Sequence, residues 1–186
     1  MQAARGTSLS DDETGGPSRP ASRTSRPKAL LAGVALIAYG ADLLTKQFAV
    51  SQLADGDVPV LGDWFVLHLT FNPGAAFSLG TDFTVALSCL AIAAVCVVLV
   101  VARRVGNTAW ALALGLLLGG VAGNLTDRLL RDPGPMRGHV VDMFMVPHWP
   151  VFNVADICIN VAAGLIVLQA VRGVSVDGSH EKVTER

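Results

Sequence analysis

Residues 83–102 read FTVALSCLAIAAVCVVLVVA and contain no charged side chain. An α-helix needs about 20 predominantly apolar residues to cross the hydrocarbon core of a bilayer. A helix also satisfies its own backbone hydrogen-bonding groups, which lipid cannot do. The stretch therefore predicts a membrane-spanning helix.

Three further segments have the same character, although each carries a few polar residues. The 186 residues are 52% hydrophobic and 16% charged, whereas an ordinary soluble domain is about 25% charged. We predict an all-α membrane protein in which one domain, residues 29–172, has four transmembrane helices. The expected spans are 29–50, 83–102, 108–130 and 151–171.

The connection between the first two spans has β-strand character. Residues 58–61 (VPVL) and 64–71 (WFVLHLTF) are rich in β-branched and aromatic residues and are bounded by Gly and Asp. We expect a small extracytoplasmic β-sheet within residues 53–80. The connection 131–150 contains several Pro and Gly residues, so we expect irregular structure there, with at most a short helix around Val140 to Met145.

The two ends of the chain are polar. Residues 1–28 are rich in Ser, Thr, Gly, Pro and Arg, which predicts a disordered tail, and residues 173–186 form a second tail. Ten of the 14 Lys and Arg residues precede the first span, lie in the 103–107 turn or follow residue 171. The positive-inside rule then places both termini in the cytoplasm and both long connections outside. A cleaved signal peptide is disfavoured, because the first apolar run is too long and no small-x-small site follows it.

Composition also argues against two kinds of partner. The net charge is −1 and no basic stripe with interleaved aromatic residues occurs, so we expect no nucleic-acid partner. No Cys-x-x-Cys or His-Glu-x-x-His spacing occurs and the four histidines are scattered, so we expect no metal site and no cofactor. The three cysteines lie in apolar runs and are expected to be small buried hydrophobic residues: Cys89, Cys96 and Cys158.

Polar residues gather near the predicted outer ends of the spans. Residues spaced three or four apart on a helix share a face, which applies to the pairs in spans one, three and four. The convergence of these side chains at one depth predicts a single polar site that faces outward. Its members are Asp42, Lys46, Asn72, Asn124, Asp127, Arg128, Asn153 and Asp156.

Two aspartates in apolar surroundings are the strongest candidates for chemistry. Asp142 lies in GHVVD and Asp156 in FNVAD. A carboxylate in or near hydrocarbon costs about 2.5–3.5 kcal/mol even on a lenient insertion scale. Two close carboxyl groups resist double ionisation, so that one can act as a base toward water while the other acts as an acid. The residues alone thus favour an outward-facing aspartyl hydrolase.

Each polar group also has a purely structural interpretation. An Asp42–Lys46 pair is compatible with a simple interfacial ion pair, and Asn153 with a helix cap. Asp127 beside Arg128 is best explained as a structural clamp, because an arginine holds a carboxylate ionised. Asp156 could serve only as a helix-dipole partner and Asp142 only as a solvated loop acid. Three glycines of span three most simply allow close helix packing: Gly119, Gly120 and Gly123.

Other functional classes fit the sequence less well. A transporter or proton relay also uses intramembrane carboxylates, but it would need a polar path across the bundle, and span two has no charge. A structural scaffold explains the spans but not the acids and amides at one depth. A serine protease is disfavoured because no Gly-x-Ser-x-Gly motif occurs and no Ser–Lys or Ser–His pair is evident within the spans.

Four motifs, in this order along the chain, carry a family resemblance. They are NPGAAF at 72–77, GNLTDR at 123–128, GHVVD at 138–142 and FNVAD at 152–156, and Asp42 with Thr45-Lys46 adds a first-span motif. Together they resemble lipoprotein signal peptidase, also called signal peptidase II. The resemblance covers residues from about 30 to 170, and the set is far more specific than any single motif.

The resemblance implies a bacterial plasma-membrane aspartic endopeptidase with four spans. Such an enzyme removes the signal peptide from a prolipoprotein, cutting before a cysteine that carries a diacylglyceryl group. Asp142 and Asp156 match the catalytic pair. Membrane lipid and globomycin-type inhibitors are expected to bind, no metal is required, and we expect a monomer. The residues expected to bind substrate or support the site are Asp42, Asn72, Gly74, Asn124, Asp127, Arg128 and Asn153.

Overall fold

The structure, a computed structural model, describes residues 25–74 and 84–179. Within these ranges the chain forms four long helices and three short strands. In chain order they are α1 (Ser25–Gln52), β1 (Val58–Pro59), β2 (Val66–Asn72), α2 (Thr84–Ala102), α3 (Thr108–Leu130), β3 (Val140–Met145) and α4 (Val154–Val171).

All four helices are long and apolar enough to cross a membrane, as the sequence predicts. The first begins earlier than expected, at Ser25, so residues 25–28 are helical rather than part of the tail. Pro27 is compatible with this start, because the first backbone N–H groups of a helix have no intrahelical partner to lose. Residues 1–24, the remainder of the predicted N-terminal tail, lie outside the described residues.

Helix α3 packs closely against α1 on one side and α4 on the other. A Cβ added at Gly119 would lie 2.7 Å from the carbonyl oxygen of Ala35 in α1. A Cβ at Gly120 would lie 2.7 Å from the carbonyl oxygen of Ala155 in α4, and one at Gly123 would strike the Asp42 carboxylate. The prediction that these glycines allow close packing is therefore confirmed.

A three-stranded antiparallel sheet, in the order β1-β2-β3, lies at one end of the helices. The predicted strands between the first two spans are confirmed for β1 and β2; residues 75–83, which include the end of the predicted β region, lie outside the described residues. The prediction of irregular structure or a short helix at Val140–Met145 was wrong. This segment is β3, because its β-branched residues pair with β2, with Asn72 opposite Val140 and Thr70 opposite Asp142.

The chain after α4 packs back onto the opposite end of the bundle. The side chain of Val174 is buried, and its carbonyl oxygen accepts a hydrogen bond of 2.8 Å from Trp110 Nε1. The backbone N–H of Gly106 donates to the carbonyl oxygen of Val176 at 3.0 Å. The first residues after α4 are therefore packed against the bundle, because Val174 and Val176 accept hydrogen bonds from the Trp110 indole in α3 and from a backbone amide of the α2–α3 turn. Residues 180–186 lie outside the described residues.

Candidate active site

Asp142 lies on β3 with only 2% of its surface exposed. Its Oδ2 accepts a hydrogen bond of 3.0 Å from Asn72 Nδ2 on β2, and its Oδ1 accepts one of 2.6 Å from Asn153 Nδ2. The pairing of β2 with β3 places Asn72 beside this carboxyl, because alternate residues of a strand share a face. Both carboxyl oxygens are thus held in fixed directions.

The surroundings of Asp142 make its carboxyl unusually basic. Burial, which disfavours the charged form, raises the pKa of Asp142 to about 7. The nearby Asp156 carboxylate raises it further. The hydrogen bonds from Asn72 and Asn153 and the charge of Lys46 lower it, without cancelling the effect of burial. A carboxyl with a pKa near neutrality can hold or release a proton at the working pH of an enzyme.

Asp156 lies in the first turn of α4, where a capping box fixes it. Asn153 Oδ1 accepts from the backbone N–H of Asp156 at 2.9 Å, and Asp156 Oδ2 accepts from the backbone N–H of Asn153 at 3.2 Å. Asn124 Nδ2 donates to the other carboxylate oxygen at 3.0 Å. The cap that the sequence suggests for Asn153 is present, but this residue does more: its amide group also donates to Asp142, so that one side chain links the two aspartates.

Lys46 is completely buried and lies behind this pair. Its Nζ is 2.8 Å from Asp42 Oδ2 and 2.9 Å from Asp127 Oδ2, and it donates to Asn124 Oδ1 at 2.8 Å. The Asp42–Lys46 ion pair that we considered is present, but it is fully buried and shared with Asp127 rather than a simple interfacial pair. The sequence placed Lys46 in the polar site through its i, i+4 spacing with Asp42 and through the first-span motif, but not among the residues expected to bind substrate or support the site.

Asp127 and Arg128 do not form the mutual clamp that their adjacency suggests. Neighbouring residues of a helix point in different directions, and here they hold different segments. Asp127 accepts from the backbone N–H of Val141 at 3.1 Å and pairs with Lys46 and Arg131, a partner that the sequence did not identify. Arg128 Nη2 donates to the carbonyl oxygen of Gly74 at 2.7 Å.

The two aspartates line one open cavity of about 680 Å³. Its remaining wall combines amide and guanidinium groups with apolar side chains, which is the usual composition of a ligand site. No described residues in 25–74 or 84–179 form a group of three or more His, Cys, Asp or Glu placed to hold a metal. The other lining residues are Asn72, Gly74, Asn124, Arg128, Val140, Trp149, Pro150, Val151, Phe152, Ile157, Asn160 and Val161.

The sequence model of the family signal peptidase (SPase) II matches residues 34–172, which is most of the chain. The chain belongs to the signal peptidase II family. It is therefore an aspartic peptidase, and the prediction from the four motifs is confirmed.

Individual relatives agree with this signal peptidase II assignment. The chain is 44% identical over 155 residues to a lipoprotein signal peptidase of Leifsonia xyli subsp. xyli, an alignment that covers 82% of this chain and 72% of that protein. It is 43% identical over 174 residues to one of Rhodococcus jostii, covering 93% and 88%. A lipoprotein signal peptidase of Mycobacterium tuberculosis is 42% identical over 170 residues, covering 90% and 84%.

Solved structures support the fold of this signal peptidase II. A bacterial membrane enzyme solved by the in meso method at 2.3 Å resolution superposes with a TM-score of 0.71 at 21% identity, covering 85% of this chain and 94% of that chain. A second bacterial membrane enzyme, solved by the same method at 1.9 Å, gives a TM-score of 0.68 at 20% identity, covering 77% and 94%. The chain is thus a multi-pass bacterial membrane protein with four spans.

Proposed function

We propose that this peptidase removes the signal peptide from diacylglyceryl-modified prolipoproteins, cutting before the lipidated cysteine, and that Asp142 and Asp156 are its catalytic pair. The observation that carries the residue assignment is their shared cavity, in which Asn153 bonds to both aspartates. Two carboxyl groups held around one space can activate a water molecule between them.

The surroundings of the pair suggest which aspartate holds the proton. Asp142 is the acid, because burial raises its pKa to about 7. Asp156 is the base: it accepts from Asn124 and from the backbone of Asn153. It also lies in the first turn of α4, where the helix dipole favours negative charge.

The proposed reaction is a general acid–base hydrolysis. The Asp156 carboxylate takes a proton from water, and the water oxygen bonds to the scissile carbonyl carbon while Asp142 gives its proton to the carbonyl oxygen. In the collapse of the resulting diol, the C–N bond breaks and the amine nitrogen of the lipidated cysteine takes the proton from Asp156. The diol returns a proton to Asp142, so that both aspartates regain their starting states.

The supporting residues fall into two groups by their contacts. Asn72, Asn124 and Asn153 touch the aspartates directly and keep the carboxyl oxygens in position. Arg128 holds the backbone at Gly74, which lines the cavity together with it. We propose that this wall also binds the substrate backbone.

Substrate and topology follow from the four spans. We propose that both termini are cytoplasmic, so that the catalytic pair lies near the outer face of the membrane. A lipid-modified substrate can reach that position while its acyl chains stay in the bilayer. A globomycin-type inhibitor should compete for the same cavity, and we propose that the peptidase acts as a monomer, since one chain supplies both aspartates and their amide partners.

The test of this proposal is cleavage of a diacylglyceryl-modified prolipoprotein in detergent. Asp142→Asn and Asp156→Asn should each abolish cleavage, because each removes a proton donor or acceptor while keeping the shape of the side chain. Asp63→Asn is the matched control: Asp63 is exposed on the β1–β2 connection, so this variant should cleave like the wild type.

Two results would count against the proposal. Cleavage that survives in either folded aspartate variant would mean that the pair is misassigned, and Asp127→Asn would be tested next. Failure of the folded wild type to cleave the lipidated substrate would contradict the substrate assignment itself.

A further inference from the structure

Asn160 is an exposed amide on the face of the membrane-spanning helix α4 that points away from the other helices. It lies one turn beyond Asp156 on α4 and lines the same cavity. Its neighbours on that face are apolar and exposed: Ile157 is 45% and Val161 48% exposed. The cavity is therefore open along this stripe of α4 toward the side that faces lipid.

A polar side chain in this position needs an explanation. Polar residues within spans are costly and usually face the bundle interior or a water-filled cavity. Asn160 satisfies only part of its hydrogen-bonding capacity, because its Nδ2 donates to the carbonyl oxygen of Asp156 at 2.9 Å. An amide nitrogen carries two hydrogens. The bond to Asp156 fixes the direction of the group and leaves the second hydrogen to point elsewhere.

We propose that the Asn160 amide is a substrate-binding residue that donates a hydrogen bond to a carbonyl oxygen of the lipidated substrate at the membrane-facing mouth of the cavity. This inference rests on the proposed function, because it assumes that a signal peptide and its diacylglyceryl group approach from the bilayer. It adds a contact deeper along α4 than the aspartates and their amide partners.

The chemistry of the substrate provides acceptors at this level. A signal peptide that enters as a helix leaves the last carbonyl groups of that helix without intrahelical partners. The diacylglyceryl group carries ester carbonyls. Both kinds of oxygen lack a donor in hydrocarbon, where an unsatisfied polar group costs several kcal/mol. Asn160 is a single donor on an otherwise apolar stripe of α4. It would therefore favour binding of a substrate that places one of these carbonyl oxygens beside it.

The first experiment compares the kinetics of Asn160→Leu with those of the wild type on the lipidated substrate. Asn160 binds ground state and transition state alike in this proposal, so KM should rise about three- to tenfold while kcat stays within about twofold. Val167→Leu is the matched control, because it changes the volume of an exposed side chain on the same helix, away from the cavity and without removing a donor, and it should leave KM nearly unchanged. Asn160 is exposed, so thermal unfolding in detergent should be similar for all three proteins.

The second arm identifies the oxygen. The same substrate with ether-linked alkyl chains lacks the ester carbonyls, and its inhibition constant is measured as a competitor. If Asn160→Leu weakens the ester substrate but not the ether competitor, the acceptor is an ester carbonyl; equal weakening of both identifies a peptide carbonyl. Either result supports the proposal.

Three outcomes overturn the inference. They are an unchanged KM in Asn160→Leu, an equal rise of KM in Val167→Leu, or a fall in kcat with a shifted pH profile, which would mean that Asn160 acts only by holding Asp156. These outcomes are interpreted only when the wild type cleaves the lipidated substrate and the Asp142→Asn variant does not. Failure of the proposed function would instead appear as a wild type that does not cleave or an Asp142→Asn variant that does.

Discussion

The alkaline limb of the pH–rate profile should report the carboxyl group of Asp142. Burial raises the pKa of this group to about 7, compared with 3.8 for an unperturbed aspartate. The difference corresponds to about 4 kcal/mol against ionising it in the folded protein. Because Asp142 is the proposed acid, kcat should be highest below about pH 7. It should fall about tenfold for each further pH unit as the proton is lost.

Asn72→Ala tests the cause of that limb. The amide of Asn72 donates to Asp142 Oδ2 and favours the ionised carboxylate, so its loss should raise the pKa of Asp142. A hydrogen bond to a charged group is worth about 1.5–3 kcal/mol, so the alkaline limb should move up by about one to two pH units. The value of kcat on the plateau should fall as well, because Asp142 loses one of the two bonds that orient it.

The assay is steady-state cleavage of a lipidated prolipoprotein between about pH 5 and about pH 9 in one detergent. Asp63→Asn serves as the control that should leave the limb in place. An alkaline limb that moves down in Asn72→Ala would refute the reasoning, since it would mean that the amide favours the protonated form. A wild-type profile without a limb near neutrality would show that Asp142 does not supply the proton.

Three further predictions concern the scaffold. Gly120→Ala should lower the free energy of unfolding by about 1–3 kcal/mol, because the new Cβ would lie 2.7 Å from a backbone oxygen of α4. The control is Gly164→Ala, where a Cβ would have nothing within 4 Å. In a thermal unfolding assay this control should be neutral or up to about 1 kcal/mol more stable than the wild type. Lys46→Met should cost about 3–5 kcal/mol, because two buried carboxylates lose their shared cation; a variant as stable as the wild type would contradict this. Trp110→Phe should speed proteolysis of the C-terminal segment without changing kcat, because one indole hydrogen bond is lost; unchanged proteolysis would mean that this bond does not hold the segment.

The four spans were predictable because the signal is local. A run such as residues 83–102 is long and apolar enough by itself to indicate a membrane helix. The start of α1 was harder to predict. Pro27 and the polar residues before it look like a linker, although the first turn of a helix tolerates both. Helix ends depend on a few tenths of a kcal/mol per residue, which a sequence pattern resolves poorly.

Strand β3 was missed because its evidence is not local. The Pro and Gly residues that surround it indicate irregular structure, and its own six residues fit a strand or a short helix. What decides between them is pairing with β2, about seventy residues earlier, through contacts such as Thr70 opposite Asp142. Only the fold brings these segments together, and the same pairing provides Asp142 with its Asn72 partner.

The sequence identified Asp42, Lys46 and Asp127 as members of the site, but not the contacts by which they set its geometry. Asp42 Oδ1 accepts the backbone N–H of Ala155, the residue before Asp156, and Asp127 accepts the backbone N–H of Val141, the residue before Asp142. Both of these carboxylates are paired with the single ammonium group of Lys46.

One buried cation thus connects the two segments that carry the proposed catalytic aspartates, and each connection ends on a backbone amide rather than on a mobile side chain. Buried backbone amides need an acceptor, so each bond both stabilises the fold and fixes a position. The distance between Asp142 and Asp156 is then determined by short, charge-assisted contacts of three helices and one strand. A peptidase that works with a coupled pair of carboxyl groups requires such control, because the interaction between the two groups depends steeply on their separation.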